Sequence, residues 1–97
     1  MQAPIYTPQA RKDLRYILQG SMRMFGQSQA RRYADDIRSA GMELASGFRS
    51  GRQFDEEHPE HLRFRVGSHY LIYRLDEHRR IRILRLLHVR MNIAAHL

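Results

Sequence analysis

The sequence contains no cysteine, no tryptophan, a single lysine and no acidic residue beyond Glu77. Each shortage removes a class of reading. Without cysteine there is no disulfide framework and no thiolate chemistry. No apolar run approaches the roughly 20 residues of a membrane span. Residues 1–14 hold no apolar stretch of the kind a secretory signal needs, so the expectation is a cytoplasmic protein that meets no membrane. There is no glycine-rich phosphate loop, and no serine stands in a nucleophile elbow. The histidines are scattered, with no pair at i, i+4 beside a carboxylate on a predicted helix. No metal, no cofactor, no catalytic set and no small-molecule substrate are therefore expected. His58 and His61 flank one loop and offer at most a weak metal site.

What is present is positive charge. Lys and Arg number 17 against 10 Asp and Glu, for a formal net charge of +7. Lys12 is the lysine; every other basic residue is arginine, whose planar fork of donors suits phosphate or carboxylate. A GC-rich genome would account for the Arg/Lys ratio. It would not account for the net charge, which implies an acidic partner. The charge is also unevenly placed. Asp55, Glu56, Glu57 and Glu60 crowd one segment, whereas the stretch after Glu77 carries Arg79, Arg80, Arg82, Arg85 and Arg90 with His78, His88 and His96.

Ninety-seven residues with 42% apolar content fit one domain, 1–97. Residues 3–6 read as a short strand, with Pro4 pointing to a sheet edge. Thr7-Pro8 starts a helix, Thr as N-cap and Pro at the first helical position. Its stripe is Ala10, Leu14, Ile17, Leu18, Ser21, Met24 and Phe25, and Gly26 ends it. Ser28 is read as the cap of a second helix, striped by Ala30, Tyr33, Ile37, Ala40, Gly41 and Leu44, and closed at Gly47. The short linker makes the two an antiparallel hairpin, and Ala10, Ser21, Ala30, Ala40 and Gly41 are expected to let them approach closely. Residues 49–60 read as loop.

The period then changes from helical to two. Leu62, Phe64 and Val66 alternate with Arg63 and Arg65. Gly67-Ser68 is a two-residue turn of type II′. It sets Val66 opposite His69, Arg65 opposite Tyr70, Phe64 opposite Leu71, Arg63 opposite Ile72 and Leu62 opposite Tyr73. Residues 80–88 form the last long strand, with Ile81, Ile83 and Leu87 on one face and Leu84 and Leu86 on the other. Apolar residues on both faces make it an inner strand. The tail, 89–97, is expected to form one or two helical turns. The fold class is α+β: β-α-α-β-β-β, a helical hairpin on a mostly antiparallel sheet, with a short C-terminal tail.

Several side chains stand out. His88 ends a strand between Arg85 and Arg90, where nearby cations would lower its pKa. It reads either as a general acid–base or, the favoured reading, as a structural histidine bonded to backbone. Arg63, Arg65, Arg82, Arg85 and Arg90 read as a phosphate platform, as a dock for an acidic protein segment, or as a solvated face. Tyr16, Met22 and Met42 fall off the helix stripes and suit a surface that accepts a partner helix.

Thr7-Pro8-Gln9-Ala10 with Asp13-Leu14 and Ile17 resembles the opening helix of ParE toxins, in the RelE/ParE superfamily. Similar to the same family are Leu44-Ala45 with Gly51-Arg52, Leu62-Arg63, and Gly67-Ser68-His69 with Ile72-Tyr73-Arg74. So are Arg85-Leu86-Leu87-His88, an Arg-x-Leu-His ending, and Met91-Asn92 with His96-Leu97. Phe48 and its neighbours depart from a proline often found after Leu-Ala. Asn92 stands where many members carry aspartate.

The resemblance implies the toxin of a type II toxin–antitoxin pair. It also implies a ParD-like ribbon-helix-helix antitoxin whose acidic tail wraps the toxin, with DNA gyrase as target and growth arrest as outcome. On that basis Arg82, Arg85, His88, Arg90, Met91 and Asn92 are the expected target-binding residues. Tyr16, Met22, Met42, Arg63 and Arg65 are the expected antitoxin contacts. The alternative is a RelE-like ribosome-dependent mRNA endonuclease, which usually draws a tyrosine from its C-terminal segment; here the last tyrosine is Tyr73. A plain nucleic-acid-binding module is a third reading, with thin support from aromatic residues beyond Tyr70 and Tyr73.

Overall fold

The Thr-Pro pair does what its chemistry suggests. In the computed structural model, which describes residues 2–97, the Thr7 hydroxyl accepts the Ala10 N–H at 3.1 Å, and helix α1 (Pro8–Phe25) begins with proline in its first turn. The same hydroxyl donates to the Leu84 carbonyl at 2.9 Å, and the Thr7 N–H donates to Ile83 at 3.0 Å. The cap therefore also fastens the helix start to the sheet.

Gly26 ends α1 and starts helix α2 (Gln27–Ser46) with no linker between. Its φ of 88° lies where side chains are disfavoured. Its N–H donates to Met22 and its carbonyl accepts from Ala30. One glycine turning the chain leaves Ser28 inside the first turn of α2, so the expected Ser28 cap is not formed.

The five-stranded sheet has the order β1-β5-β4-β3-β2. Strand β1 (Ile5–Tyr6) is a short edge strand running parallel to β5 (Ile81–His88), which is an inner strand as its apolar content requires. β3 (Leu62–Val66) and β4 (His69–Leu75) pair in the register read from the turn, from Val66 opposite His69 to Leu62 opposite Tyr73. Gly67 sits at φ 57°, as the first residue of a type II′ turn must. The sequence reading missed β2 (Arg52–Gln53), which pairs with Leu62 and Arg63. Two residues are too few to show a period. The last element is a 3-10 turn, Ile93–His96.

Helices and sheet enclose one core: Ala10, Ile37, Ala40 and Leu44 from the hairpin, and Leu71, Tyr73, Ile81, Ile83 and Leu86 from the sheet. Ile72, Leu87 and Ile93 form a smaller cluster on the outer face, with Phe54 and Tyr70 against it. The expected faces of β5 are thus corrected at Leu86 and Leu87. Arg85 pairs with Ile72 and Ile83 with Tyr73, so Leu84 is an extra residue with no partner on β4. Such a bulge reverses the alternation beyond it.

Two helix positions are corrected as well. Met24 and Phe25, read as core stripe, are 75% and 57% exposed. The end of α1 overhangs the β3–β4 turn and does not lie on the sheet. Gly41 makes room for β1 and not for α1: a Cβ there would fall 2.7 Å from the Tyr6 hydroxyl and 3.4 Å from Pro4 Cγ. Among the described residues no helix is long and apolar enough to cross a membrane.

Two glycines should respond oppositely to alanine. At Gly67 a Cβ would lie 2.6 Å from Tyr33 Cε1 and the backbone is left-handed, so Gly67→Ala should cost roughly 1–2 kcal/mol from backbone strain alone. Gly20, in mid-helix, meets nothing within 4 Å; Gly20→Ala should stabilise by about 0.5–1 kcal/mol. Urea midpoints moving the same way in both variants would contradict this.

Candidate functional site

A groove of about 770 Å³ lies between the helical hairpin and the β3–β4 turn. α1 contributes Tyr16, Gly20, Met24 and Phe25; α2 contributes Gln29, Arg32, Tyr33 and Asp36; the sheet contributes Gly67, Ser68, His69 and His88. Helical spacing explains the first set, because positions 16, 20 and 24 fall in line four residues apart. Tyr16, Met24 and Phe25 are large, apolar and exposed. Of the three off-stripe residues, Tyr16 lines this groove; Met22 and Met42 are exposed elsewhere on the helices.

The floor is a row of three rings. Tyr33 and His69 lie 5.6 Å apart between centroids, and His69 meets His88 edge-on at 5.3 Å. The Tyr33 hydroxyl accepts the Ser68 N–H at 3.2 Å and lies 3.0 Å from the Val66 carbonyl and 2.6 Å from His69 Nδ1. It thereby closes the turn from the helix side. Tyr33 reads from the sequence as one more stripe residue; the signal that it differs is the hydroxyl, which a buried tyrosine must satisfy. His88 Nδ1 accepts the Arg90 N–H at 3.1 Å, which is the structural reading of that histidine. One nitrogen of each imidazole is thus committed to holding the fold. Burial, and secondly the neighbouring His88, hold His69 below its ordinary value of 6.5.

The basic residues separate into committed and available groups. Arg85 Nε and Nη2 grip the Asp13 carboxylate at 2.8 and 3.1 Å, and Arg85 Nη1 donates to the His96 carbonyl at 3.1 Å. Asp13 also accepts the Leu86 N–H at 3.0 Å. Arg85 therefore spends its donors inside the molecule. Arg82 is paired with Asp76 at 3.2 Å. The Asp76 carboxyl is held below its ordinary value first by the Arg80 N–H, with His78 N–H and Arg82 adding to it.

Arg90, Met91 and Asn92 are contiguous and exposed where the chain leaves β5. Arg63 lies over Tyr70 at 4.8 Å and over Phe54 at 6.0 Å. Arg65 is exposed and donates to the Gly67 carbonyl. His58 and His61 stack at 5.4 Å, and His58 is bonded to Asp55 at 2.8 Å. No group of three or more metal-binding side chains gathers among the described residues.

The family model of the ParE toxin of the type II toxin–antitoxin system parDE matches residues 5–93. The chain belongs to the ParE toxin family. It is 32% identical over 89 residues to Toxin ParE1 of Mycobacterium tuberculosis, in strains CDC 1551 / Oshkosh and H37Rv, covering 92% of this chain and 91% of that one. Its fold is similar to a chain of the chromosomal ParDE system of P. aeruginosa, with a TM-score of 0.76, 22% identity and 92% and 97% of the two chains covered. It is also similar to a chain of the toxin–antitoxin complex RelBE2 of Mycobacterium tuberculosis, at a TM-score of 0.57 and 22% identity, covering 91% and 99%. The Arg-x-Leu-His ending that resembles the ParE family now has a physical account. Arg85 clamps Asp13, Leu87 fills the outer cluster, and His88 bonds the backbone that follows.

His69 makes stability depend on pH in a stated direction. Unfolded, it titrates near 6.5; folded, it titrates lower. Its contribution is full above the unfolded value and is lost as pH falls toward and through the folded value, because the unfolded chain takes up the proton first. His69→Gln should lose less stability than the parent between about pH 7 and pH 5. Equal losses in parent and variant would show that the ring titrates without constraint.

Proposed function

We propose that this protein is the toxin of a ParDE-type pair, that a ParD-like antitoxin with an acidic tail silences it, and that when free it inhibits DNA gyrase by binding. Membership of the ParE family over residues 5–93 carries this reading. The groove supports the antitoxin half. An amphipathic antitoxin helix would lay its apolar face on Tyr16, Met24 and Phe25, and acidic residues beside that face would meet Arg32 and the +7 chain. Tyr16 keeps its expected role as an antitoxin contact; Met24 and Phe25 take the places proposed from sequence for Met22 and Met42. Attraction of this kind raises the association rate and makes it salt-sensitive.

For the target, exposed Arg90, Met91 and Asn92 form the contact proposed at the end of β5, with His88 close by. Arg85 supports this segment from inside through the His96 carbonyl. A second reading, ribosome-dependent mRNA cleavage, is favoured by one observation: Tyr33 reaches His69 from α2, and His69 in turn meets His88, so a tyrosine absent from the C-terminal segment is present in space. Its hydroxyl, however, is engaged by the turn it closes.

Purified protein should inhibit supercoiling by gyrase and leave ribosome-bound mRNA intact. Arg90→Glu should weaken gyrase inhibition by roughly 2–5 kcal/mol if its contact is buried and paired; His88→Gln should have the milder effect. Codon-specific mRNA cleavage that His88→Gln or Tyr33→Phe abolishes would replace this reading with the nuclease. Expressed alone, the protein should arrest growth, and co-expression of the antitoxin should restore it.

A further inference from the structure

Among the described residues, the outer face of the sheet carries a charge cost that ion pairs within the chain repay only at Arg82. Residues directly opposite on neighbouring strands share a face. Leu62, Phe64, Leu71, Tyr73, Ile81 and Ile83 point to the helices, so Arg63, Arg65, Arg74 and Arg82 point away, and Arg52 lies opposite Arg63. Two cross-strand pairs on that face are consequently arginine against arginine: Arg52 with Arg63, and Arg74 with Arg82. Like charges in such positions destabilise a sheet. Arg82 is relieved by Asp76. Among the described residues, no carboxylate forms an ion pair with Arg52, Arg63, Arg65 or Arg74. An arrangement of this kind fits an anion that arrives from outside.

The face also selects the kind of anion. Its apolar centre is closed: Ile72 and Leu87 are covered by Ile93, with Phe54 and Tyr70 beside them. These apolar side chains pack on one another, in contrast to the exposed Tyr16, Met24 and Phe25 of the groove on the other side of the sheet. What is offered is a set of guanidinium forks. Alternate residues along a strand are separated by about 6.6–6.8 Å and opposed ones by about 4.5–5.5 Å. Arg63 lies over Tyr70 at 4.8 Å, and a guanidinium held on a ring in this way keeps N–H groups to donate to phosphate oxygens. Cations spaced along a surface beside aromatic rings are what a phosphodiester backbone requires.

We propose that the outer face of this sheet, through Arg52, Arg63, Arg65 and Arg74, binds the phosphodiester backbone of a nucleic acid. This surface is separate from the groove and goes beyond the gyrase reading, on which it does not depend. It is a backbone site without base readout, so affinity is to be insensitive to sequence and steep in salt.

The test is fluorescence anisotropy of the full chain with labelled single-stranded and duplex DNA, in the absence of gyrase, across about 50 to 200 mM salt. The variant combines Arg52→Gln, Arg65→Gln and Arg74→Gln. A control combines Arg11→Gln, Arg23→Gln and Arg31→Gln on the helices, removing the same charge. The double variant Arg52→Gln/Arg74→Gln, which leaves the Arg65 bond to the turn in place, covers the case in which the triple variant folds poorly by circular dichroism. Each lost phosphate contact should flatten the slope of log K against log salt by about 0.7 for single strands and about 0.9 for duplex. The triple sheet variant should therefore lose about 2.1–2.7 units of slope, the double variant about 1.4–1.8, and the helix control less than about one. Equal losses in both sets would reduce the binding to diffuse net charge and overturn the proposal. So would absence of DNA binding by the parent at low salt, or tighter binding of polyglutamate than of DNA to the same face. A negative supercoiling assay would leave this result standing, so the two readings fail separately.

Discussion

One carboxylate, that of Asp13, holds together parts of the chain that are distant in sequence. β1 is only two residues long and covers β5 as far as Ile83. Beyond it the edge of β5 would be left with an unpaired N–H at Leu86, and a buried donor without a partner is costly. Asp13 reaches from α1 to accept that N–H, and the charge it brings to the sheet margin is met by the fork of Arg85. The third Arg85 nitrogen, Nη1, donates to the His96 carbonyl and ties down the tail. Thr7 performs a related task at the start of the same helix, capping α1 and bonding the bulge at Leu84. Helix, inner strand and C-terminus are fixed to one another through these few polar atoms.

That arrangement decides which residues remain for partners. With Arg85 held by Asp13 and Arg82 neutralised by Asp76, the sheet cations left without a carboxylate among the described residues lie on β2, β3 and β4, whereas Tyr16, Met24 and Phe25 are exposed along α1. The molecule thus presents two chemically different surfaces on opposite sides of its sheet. One is an apolar groove above the Tyr33–His69–His88 row; the other is an arginine face whose apolar centre is closed by Ile93. A toxin held by one macromolecule and directed at another can use such a separation, because occupancy of one surface need not cover the other.

The element order apart from β2, the Thr7-Pro8 helix start, the end of α1 at Gly26 and the whole β3–β4 register follow from local rules, since a two-residue turn beginning with glycine admits few pairings. The faces of β5 do not. A bulge adds a residue without altering the run of apolar side chains, so Leu86 and Leu87 exchange sides with no warning in the pattern. The site was legible in part. Tyr16 stood off its helix stripe, but Met24 and Phe25 matched a stripe that outruns the sheet, and periodicity carries no information about where a helix ceases to have something beneath it. Arg85 was conspicuous as a cation in a tail free of acid. Its partner Asp13 is 72 residues away, and no local spacing reveals such a pair.

The claim that the Asp13–Arg85 pair fixes the frame is tested most directly by a double-mutant cycle on folding stability. It compares Asp13→Asn, Arg85→Gln and the combination by urea unfolding. The two side chains are 12% and 20% exposed, so removing Asp13 alone strands a largely buried cation and should cost about 3–5 kcal/mol. The double variant should be more stable than the sum of the single losses implies, with a coupling energy of about 1–3 kcal/mol. Losses that add to within about 0.5 kcal/mol would mean that the two residues act independently, and the account of how helix, strand and tail are joined would be wrong.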